Sequence, residues 1–370
     1  MKYAKKVVLL QKIALLQMRR LHFLGVFFLC LCANMPLKAS LNFSYADSVI
    51  QEAIADTLIP GAVLCVVDNQ QIVYLKAYGN RRVCPDQEVM TTNTIFDLAS
   101  VSKPLGAGTA MLLLCADGRV SVDDFVSQYV PNYHSDVQIR HLMTHYSGLP
   151  AYMNANRLDS IFTSRAIPLE QFPNYMIDTI ARCKRPSRVG DKYRYSCLNF
   201  ISLQRVVESI VEMDINCYLR STLYADLGIH MGWLPDSSLI EYIAPTECNG
   251  TDCLHAEVHD PLARVMMNGI SGNAGIFASA EDVAKWSIWF MQLPLNVREA
   301  ACYAGLWTDT IATSKGEEQV RNRHTGYTGT SVTIMPQSGR AVILLTNRVH
   351  PKDEHSLGKL RRLLNEWLIP

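Results

Sequence analysis

Apolar positions along the chain recur with two different periods, and the places where the period changes divide the sequence into elements. In "SYADSVIQEAIADTLIPG" (Ser44–Gly61) they recur every three to four residues and stop at Pro60-Gly61, which predicts an amphipathic helix. "AVLCVVDNQQIVYLKAYG" (Ala62–Gly79) holds two β-rich runs around Asp68-Asn69-Gln70-Gln71, a hairpin signal. "FDLASVSKPLGAGTAMLLL" (Phe96–Leu114) predicts an apolar helix opening at about Ser100. Its Gly106 and Gly108 suit close packing in a core at some cost in helix propensity.

From about Val120 to Asp260 the signals are helical and loop-like, with Leu198–Met213 the clearest helix. A further helix over Ser279–Leu293 has Ser279 as its N-cap and Glu281-Asp282 in its first turn. A second hairpin follows over Gly329–Asn347 around Pro336-Gln337-Ser338-Gly339, and an amphipathic helix, "SLGKLRRLLNEWLI", comes last. Strands near both ends with helices between them predict an α+β fold. Its antiparallel sheet would be assembled from both chain ends, flanked by terminal helices and joined to a mostly helical region over about 120–260. Residues 40–370 read as one domain, since no repeat or low-complexity linker divides them.

Charge changes the picture at the N-terminus. The formal net charge is +1, but residues 1–39 carry seven Lys and Arg and no acid, leaving −6 for the rest (1 − 7). A body of that sign gives no footprint for nucleic acid. Arg19-Arg20 followed by "FLGVFFLCLCA" (Phe23–Ala33) reads as an export signal, too short to span a bilayer comfortably. Met18 is the more typical start, and a small-residue cleavage site falls near Ala39-Ser40, with Leu37 departing from the small-residue pattern. The expectation is an exported protein of the periplasm or cell envelope, touching a membrane only through this segment if it is uncleaved.

Nine of the eleven cysteines lie beyond that segment. Cys65 and Cys115 sit in apolar runs and read as buried small hydrophobes, whereas Cys248 and Cys253, in "CNGTDC", are placed to close a small loop. No zinc spacing occurs, and His141 and His145 in "HLMTH" lack the glutamate of a metalloprotease, so they read as structural. Neither a metal nor another cofactor is expected. Met266 and Met267 read as core filling, and His259 and Asp260 as loop braces.

Candidate chemistry begins at Ser100 and Lys103. Three apart on a helix, they share a face, so an ammonium can reach the hydroxyl that needs a base. At a helix N-terminus the nucleophile would also have a free backbone N–H and a positive dipole end beside it. Pro104 is tolerable there because first-turn N–H groups have no intrahelical partner. Four residues are a weak signal alone, and the plain alternative is a helix cap beside a surface lysine.

Two further stretches change the weighing: "YRYSCLNF", with Tyr195-Ser196-Cys197 ahead of a helix, and "RHTGYTGTS", with His324-Thr325-Gly326 ahead of the terminal hairpin. In order and separation the three resemble the Ser-x-x-Lys, Tyr-x-Asn and Lys/His-Thr-Gly motifs of the class C β-lactamase and penicillin-binding D,D-peptidase superfamily. "IRHLMTHYSGLP", "EVHD", "GNAGIFASAEDVAKW" and "LLTNRVHP" resemble segments of its esterase-like members. The resemblance covers Ser44 to the C-terminus.

It implies a β-lactamase/transpeptidase-like fold and an acyl-enzyme on Ser100, with Lys103 and Tyr195 sharing the proton transfers. The backbone N–H groups of Ser100 and Tyr327 would form the oxyanion hole. Gly326 would allow close approach, and His324 and Thr325 would line the site opposite the nucleophile. Cys197 stands where lactamases and D,D-peptidases usually carry asparagine. A thiol donates and accepts only weakly, which removes roughly 1–3 kcal/mol of polar recognition from a β-lactam or peptide. The leading expectation is therefore a serine hydrolase of a small-molecule or peptide substrate, an ester, amide or D-amino-acid peptide, cell-wall material included. The alternatives are a D,D-carboxypeptidase or weak β-lactamase, and a catalytically silent binder of cell-wall peptide; the last predicts a lost nucleophile or lysine, and neither is lost.

Overall fold

The computed structural model describes residues 42–313 and 316–368; the proposed signal segment and its cleavage site lie outside them. Helix α1 (Phe43–Ala55) forms as its period predicts, burying Ala46, Val49, Ile50 and Ala53. Strand β1 (Gly61–Asp68) is buried over its first seven residues, so it reads as a continuous apolar run rather than an alternation. It turns through Asn69 and Gln70, both with positive φ, into β2 (Gln71–Arg82), and β3 (Glu88–Val89) pairs beyond β2. Asp47 of α1 accepts hydrogen bonds from Tyr74 and Tyr78 of β2 and pairs with Lys76, tying that helix to the sheet.

The stretch bearing Ser100 departs from the single helix expected. Ala99–Val101 is a 3-10 turn, Pro104–Gly108 a π-helical segment, and only Thr109–Ala116 (α2) is regular α-helix. Pro104 has no N–H to give, and the glycines let neighbours come closer than any side chain would. A Cβ on Gly106 would lie 2.7 Å from the Trp233 ring, and one on Gly108 would lie 1.8 Å from the Ala304 carbonyl oxygen.

The middle region is helical as predicted, with Ile139–Met143, Ala155–Ser164, Phe172–Arg182 and α3 (Cys197–Val211) around one apolar core. Helix α3 stops two residues before the apolar pattern does, at Glu212, which adopts φ 57°. Met266 and Met267 are buried in the core. Cys65 is fully buried, but Cys115 is only half-buried and packs at the core's margin, a correction to its reading as a core residue. His141 accepts the Gln138 N–H and caps a helix, consistent with a structural part. Cys248 and Cys253 are disulfide-bonded across a two-residue ladder.

Helix α4 (Ala280–Gln292) begins at Ser279 with a capping box to Asp282 and packs against β1. The chain then forms β4 (Trp307–Ala312), β5 (Glu318–Thr325), β6 (Ser331–Met335) and β7 (Arg340–Thr346), ending in α5 (Gly358–Leu368). Strand order is β3-β2-β1-β7-β6-β5-β4, with β1 antiparallel to β7 and Cys65 opposite Ile343, so the two chain ends do build one sheet. The β4–β5 pair escapes the sequence reading because β5, "EQVRNRHT", carries charge along an outer pair of strands and lacks an apolar alternation.

Candidate active site

Four backbone segments meet in front of the sheet: the 3-10 turn at Ser100, the Tyr195-Ser196-Cys197 entry to α3, the Ser271–Asn273 loop, and the Gly326–Thr330 turn between β5 and β6. The turn at Ser100 is strained, with Ala99 at φ 46°. Asp97 holds it there. Its buried carboxylate accepts the Ala99 N–H at 2.7 Å and the His259 N–H at 2.7 Å. Burial pushes the Asp97 carboxyl up, and the two backbone donors pull it back. A lone acid inside the apolar run "TIFDLAS" was the available signal for this residue, since a buried carboxylate needs partners.

Lys103 is completely buried, and its Nζ donates to Ser100 Oγ at 3.0 Å and to the Asn273 carbonyl at 2.7 Å. It also lies 3.6 Å from Cys197 Sγ and 5.1 Å from the centre of the Tyr195 ring. Lys103 and Ser100 both act on the Tyr195 hydroxyl, favouring its ionised form. Serine, lysine and tyrosine, separated by up to 95 residues of chain, are thus brought into one interacting group.

Opposing effects set the ionisation of that group. Burial pushes the Lys103 ammonium down, but negative charge on Cys197 and Tyr195 pushes it up, and the net direction is upward. Burial also raises Tyr195, against the pull of Lys103. Cys197 is raised by burial as well, so the upward push on Lys103 acts only where one of these neighbours ionises, and the three groups titrate together.

His324 departs from the position expected. Strand alternation turns Thr325 toward the cavity and His324 into the protein, where it is fully buried, stacked on Trp307 at 4.5 Å and 6.2 Å from the Tyr195 ring. Its Nδ1–H donates to the Thr325 carbonyl at 3.0 Å. Burial first, and Lys103 second, hold it well below the usual histidine range, so it is a neutral ring behind the tyrosine and does not line the cavity. Cys197 is likewise set back, with Lys103 Nζ donating to its Sγ at 3.6 Å.

The expected oxyanion-hole segment is held from two sides. Thr328 Oγ1 donates to the Asp97 carbonyl and Thr330 Oγ1 to the Leu98 carbonyl, both at 2.8 Å, lacing this turn to the backbone just ahead of Ser100. Only glycine fits between them, because a Cβ on Gly326 would lie 2.1 Å from Thr330 Oγ1 and 2.4 Å from the Leu98 oxygen. From the other side Arg361 of α5 donates to the Gly326 and Thr330 carbonyls, each at 2.9 Å. In sequence Arg361 is indistinguishable from its neighbour Arg362.

Ser100, Tyr195, Thr325, Gly326 and Tyr327 line an open cavity of about 560 Å³, walled on one side by Trp307 and on the other by the segment 353–357 with Arg348 and Arg361. Tyr327 stacks on His259 at 5.4 Å, Arg348 lies over its other side at 5.0 Å, and both Tyr327 and Arg348 bond Asp353. Asp260 accepts the Ala263 N–H, so the His259-Asp260 pair braces this wall. Among the described residues, the metal-ligating side chains that converge are Cys84, Cys248 and Cys253, none of which lines the cavity.

The comparisons agree with this architecture. A protein of Escherichia coli (strain K12) named "Putative D-alanyl-D-alanine carboxypeptidase" is 26% identical over 387 residues, covering 86% of each chain. One of the same name from Salmonella agona (strain SL483) is 27% identical over 373 residues, covering 82% of each. A solved class C beta-lactamase superposes with a TM-score of 0.66 at 20% identity, over 88% of this chain and 95% of the other. EstCE1, a hydrolase with promiscuous acyltransferase activity, gives 0.65 at 19% identity, over 88% and 98%. The model of the Beta-lactamase family matches residues 46–366. With that match running from α1 into α5, the chain belongs to the Beta-lactamase family, whose fold it shares.

Proposed function

We propose that this chain is an exported serine hydrolase that forms an acyl-enzyme on Ser100, with an ester, an amide or a D-amino-acid peptide as substrate. The observation that carries the reading is the fully buried Lys103 ammonium, 3.0 Å from Ser100 Oγ, with the Tyr195 ring 5.1 Å away. A buried lysine aimed at one hydroxyl has no role as a surface charge. Once the pair has lost a proton, the Tyr195 oxygen stabilised by Lys103 takes the Ser100 proton as Oγ attacks the carbonyl. The Ser100 and Tyr327 N–H groups receive the oxyanion, and Tyr195 returns the proton to the leaving group. Water then repeats the sequence on the acyl-enzyme. The basic, apolar N-terminal segment supports export.

The relatives' names favour a second reading within the same chemistry, a D,D-carboxypeptidase. Cys197, in place of an amide, weighs against efficient β-lactam hydrolysis. The test labels the protein with a fluorophosphonate and compares p-nitrophenyl esters, D-Ala-D-Ala peptides and nitrocefin side by side. Wild type should carry one adduct on Ser100, and Ser100→Ala should lose both adduct and turnover. Equal labelling of the two proteins would remove the assignment, and rapid nitrocefin turnover would overturn the use made of Cys197.

A further inference from the structure

Away from the catalytic cavity, three cysteines converge where three stretches of chain meet: the exit of β2, the 246–253 hairpin, and the segment after β7. The Sγ atoms of Cys84, Cys248 and Cys253 lie within 4.8 Å of one another, all half-buried, with Cys248 and Cys253 bonded and Cys84 free. The Cys84 thiol donates to the Gly250 carbonyl at 3.7 Å, and Cys253 Sγ lies 3.4 Å from the Cys84 carbonyl oxygen, so the free thiol sits against the disulfide-bearing hairpin itself.

His350 organises the site. It is buried, its Nε2 accepts the Val83 N–H at 2.9 Å, and its Nδ1 therefore carries the proton, donated to the Thr246 carbonyl at 3.0 Å. The same Nδ1 is 3.3 Å from Cys248 Sγ. An N–H donor is thus fixed beside one sulfur of the disulfide while a free thiol waits beside the pair.

We propose that Cys84, Cys248 and Cys253 form a thiol–disulfide exchange site. The Cys84 thiolate attacks Cys253 Sγ, the Cys84–Cys253 bond forms as the Cys248–Cys253 bond breaks, and Cys248 leaves as a thiolate hydrogen-bonded by His350 Nδ1–H. One disulfide and one thiol are present before and after. The proton lost by Cys84 is returned to Cys248 through solvent, and no outside oxidant or reductant takes part. The covalent tie passes from within the hairpin to a bridge between the hairpin and the exit of β2. The consequence reaches the catalytic wall, because the Cys248 N–H donates to the Pro351 carbonyl at 2.8 Å and the segment holding Pro351 supplies Arg348, Asp353 and His355 to the cavity.

The experiment uses the full chain purified without reductant, equilibrated at about pH 8, acid-quenched, alkylated with N-ethylmaleimide and mapped by peptide mass spectrometry without reduction. Wild type should carry maleimide on both Cys84 and Cys248, and yield both Cys248–Cys253 and Cys84–Cys253 linked peptides. Cys84→Ser should lower Cys248 labelling at least about tenfold, and Cys248→Ser oxidised with glutathione disulfide, which takes the two electrons, should contain the Cys84–Cys253 link. Maleimide on Cys84 alone of the three in wild type overturns the proposal, as does a Cys84–Cys248 link in place of the Cys84–Cys253 one. If Cys248→Ser does not fold, wild type and Cys84→Ser decide the question between them.

Discussion

Arg361 offers a test in which loss of activity and loss of fold separate. Its guanidinium donates to two carbonyls, Gly326 O and Thr330 O, which bracket the turn carrying the Tyr327 N–H. Two hydrogen bonds from a charged donor are worth roughly 1.5–3 kcal/mol each, or about 3–6 kcal/mol together. Against this stands the cost of burying the group. Burial, with Arg348 nearby, holds the Arg361 pKa at about 10 instead of 12.5, which corresponds to about 3 kcal/mol of disfavoured charge. Replacing Arg361 by methionine removes both terms, so the net loss of stability should be only about 0–3 kcal/mol. The catalytic loss should be larger. Without the guanidinium the Gly326 carbonyl keeps only the Gly329 N–H, at 3.2 Å, to orient the Gly326–Tyr327 peptide, and one misplaced oxyanion donor costs about 10²- to 10³-fold in rate. Burst kinetics with a p-nitrophenyl ester measures acylation, and urea unfolding measures stability. Arg361→Met should acylate at least about thirtyfold more slowly with most of its unfolding free energy intact. Acylation within threefold of wild type, or a fall that merely tracks unfolding, would refute the reasoning.

The remaining predictions concern the thiol and the protons. Cys197→Asn places an amide beside Lys103 and should raise nitrocefin acylation about ten- to hundredfold; an unchanged rate would show that the thiol is not what limits β-lactam recognition. Because burial holds the Tyr195 hydroxyl protonated and it must lose that proton to act as the base, acylation should climb with pH above neutrality at up to tenfold per unit. The same climb should persist in His324→Asn, since His324 is already neutral there; a flat profile would contradict the protonated state assigned to Tyr195. Stability should likewise fall as the pH drops. Burial and Lys103 hold His145 at about 3 against 6.5 for a free histidine. Unfolding therefore takes up a proton there, and its contribution, complete above about pH 6.5, is lost as pH falls toward 3, at about 1.4 kcal/mol per unit. Urea titrations over that range should show the decline, and His145→Gln should flatten it by one proton.

The sequence made some parts of this molecule legible and left others hidden, and the division follows how each residue makes its contacts. Ser100 and Lys103 were readable because their partnership is local, three residues on one turn, and the two hairpins because their turns announce themselves at Asn69-Gln70 and at Pro336–Gly339. The β4–β5 pair was not, because "EQVRNRHT" lies toward the sheet's edge, and its polar surroundings remove the alternation that marks a strand. His324 was legible as part of a motif, but its direction was not. A strand shows its two faces equally in sequence, and only the closed sheet decides that Thr325 meets the cavity while His324 stacks behind Tyr195 on Trp307. Asp97, Thr328, Thr330 and Arg361 were the hardest to find, because each acts on backbone far away in the chain: Asp97 on His259, the two threonines on residues 97 and 98, Arg361 on the turn after β5. A side chain that binds a distant carbonyl leaves no spacing to read. These are the contacts that set the Ser100 turn against the Tyr327 turn, so the motifs name the proposed reacting groups while the distance between the two turns is set by residues that belong to no motif.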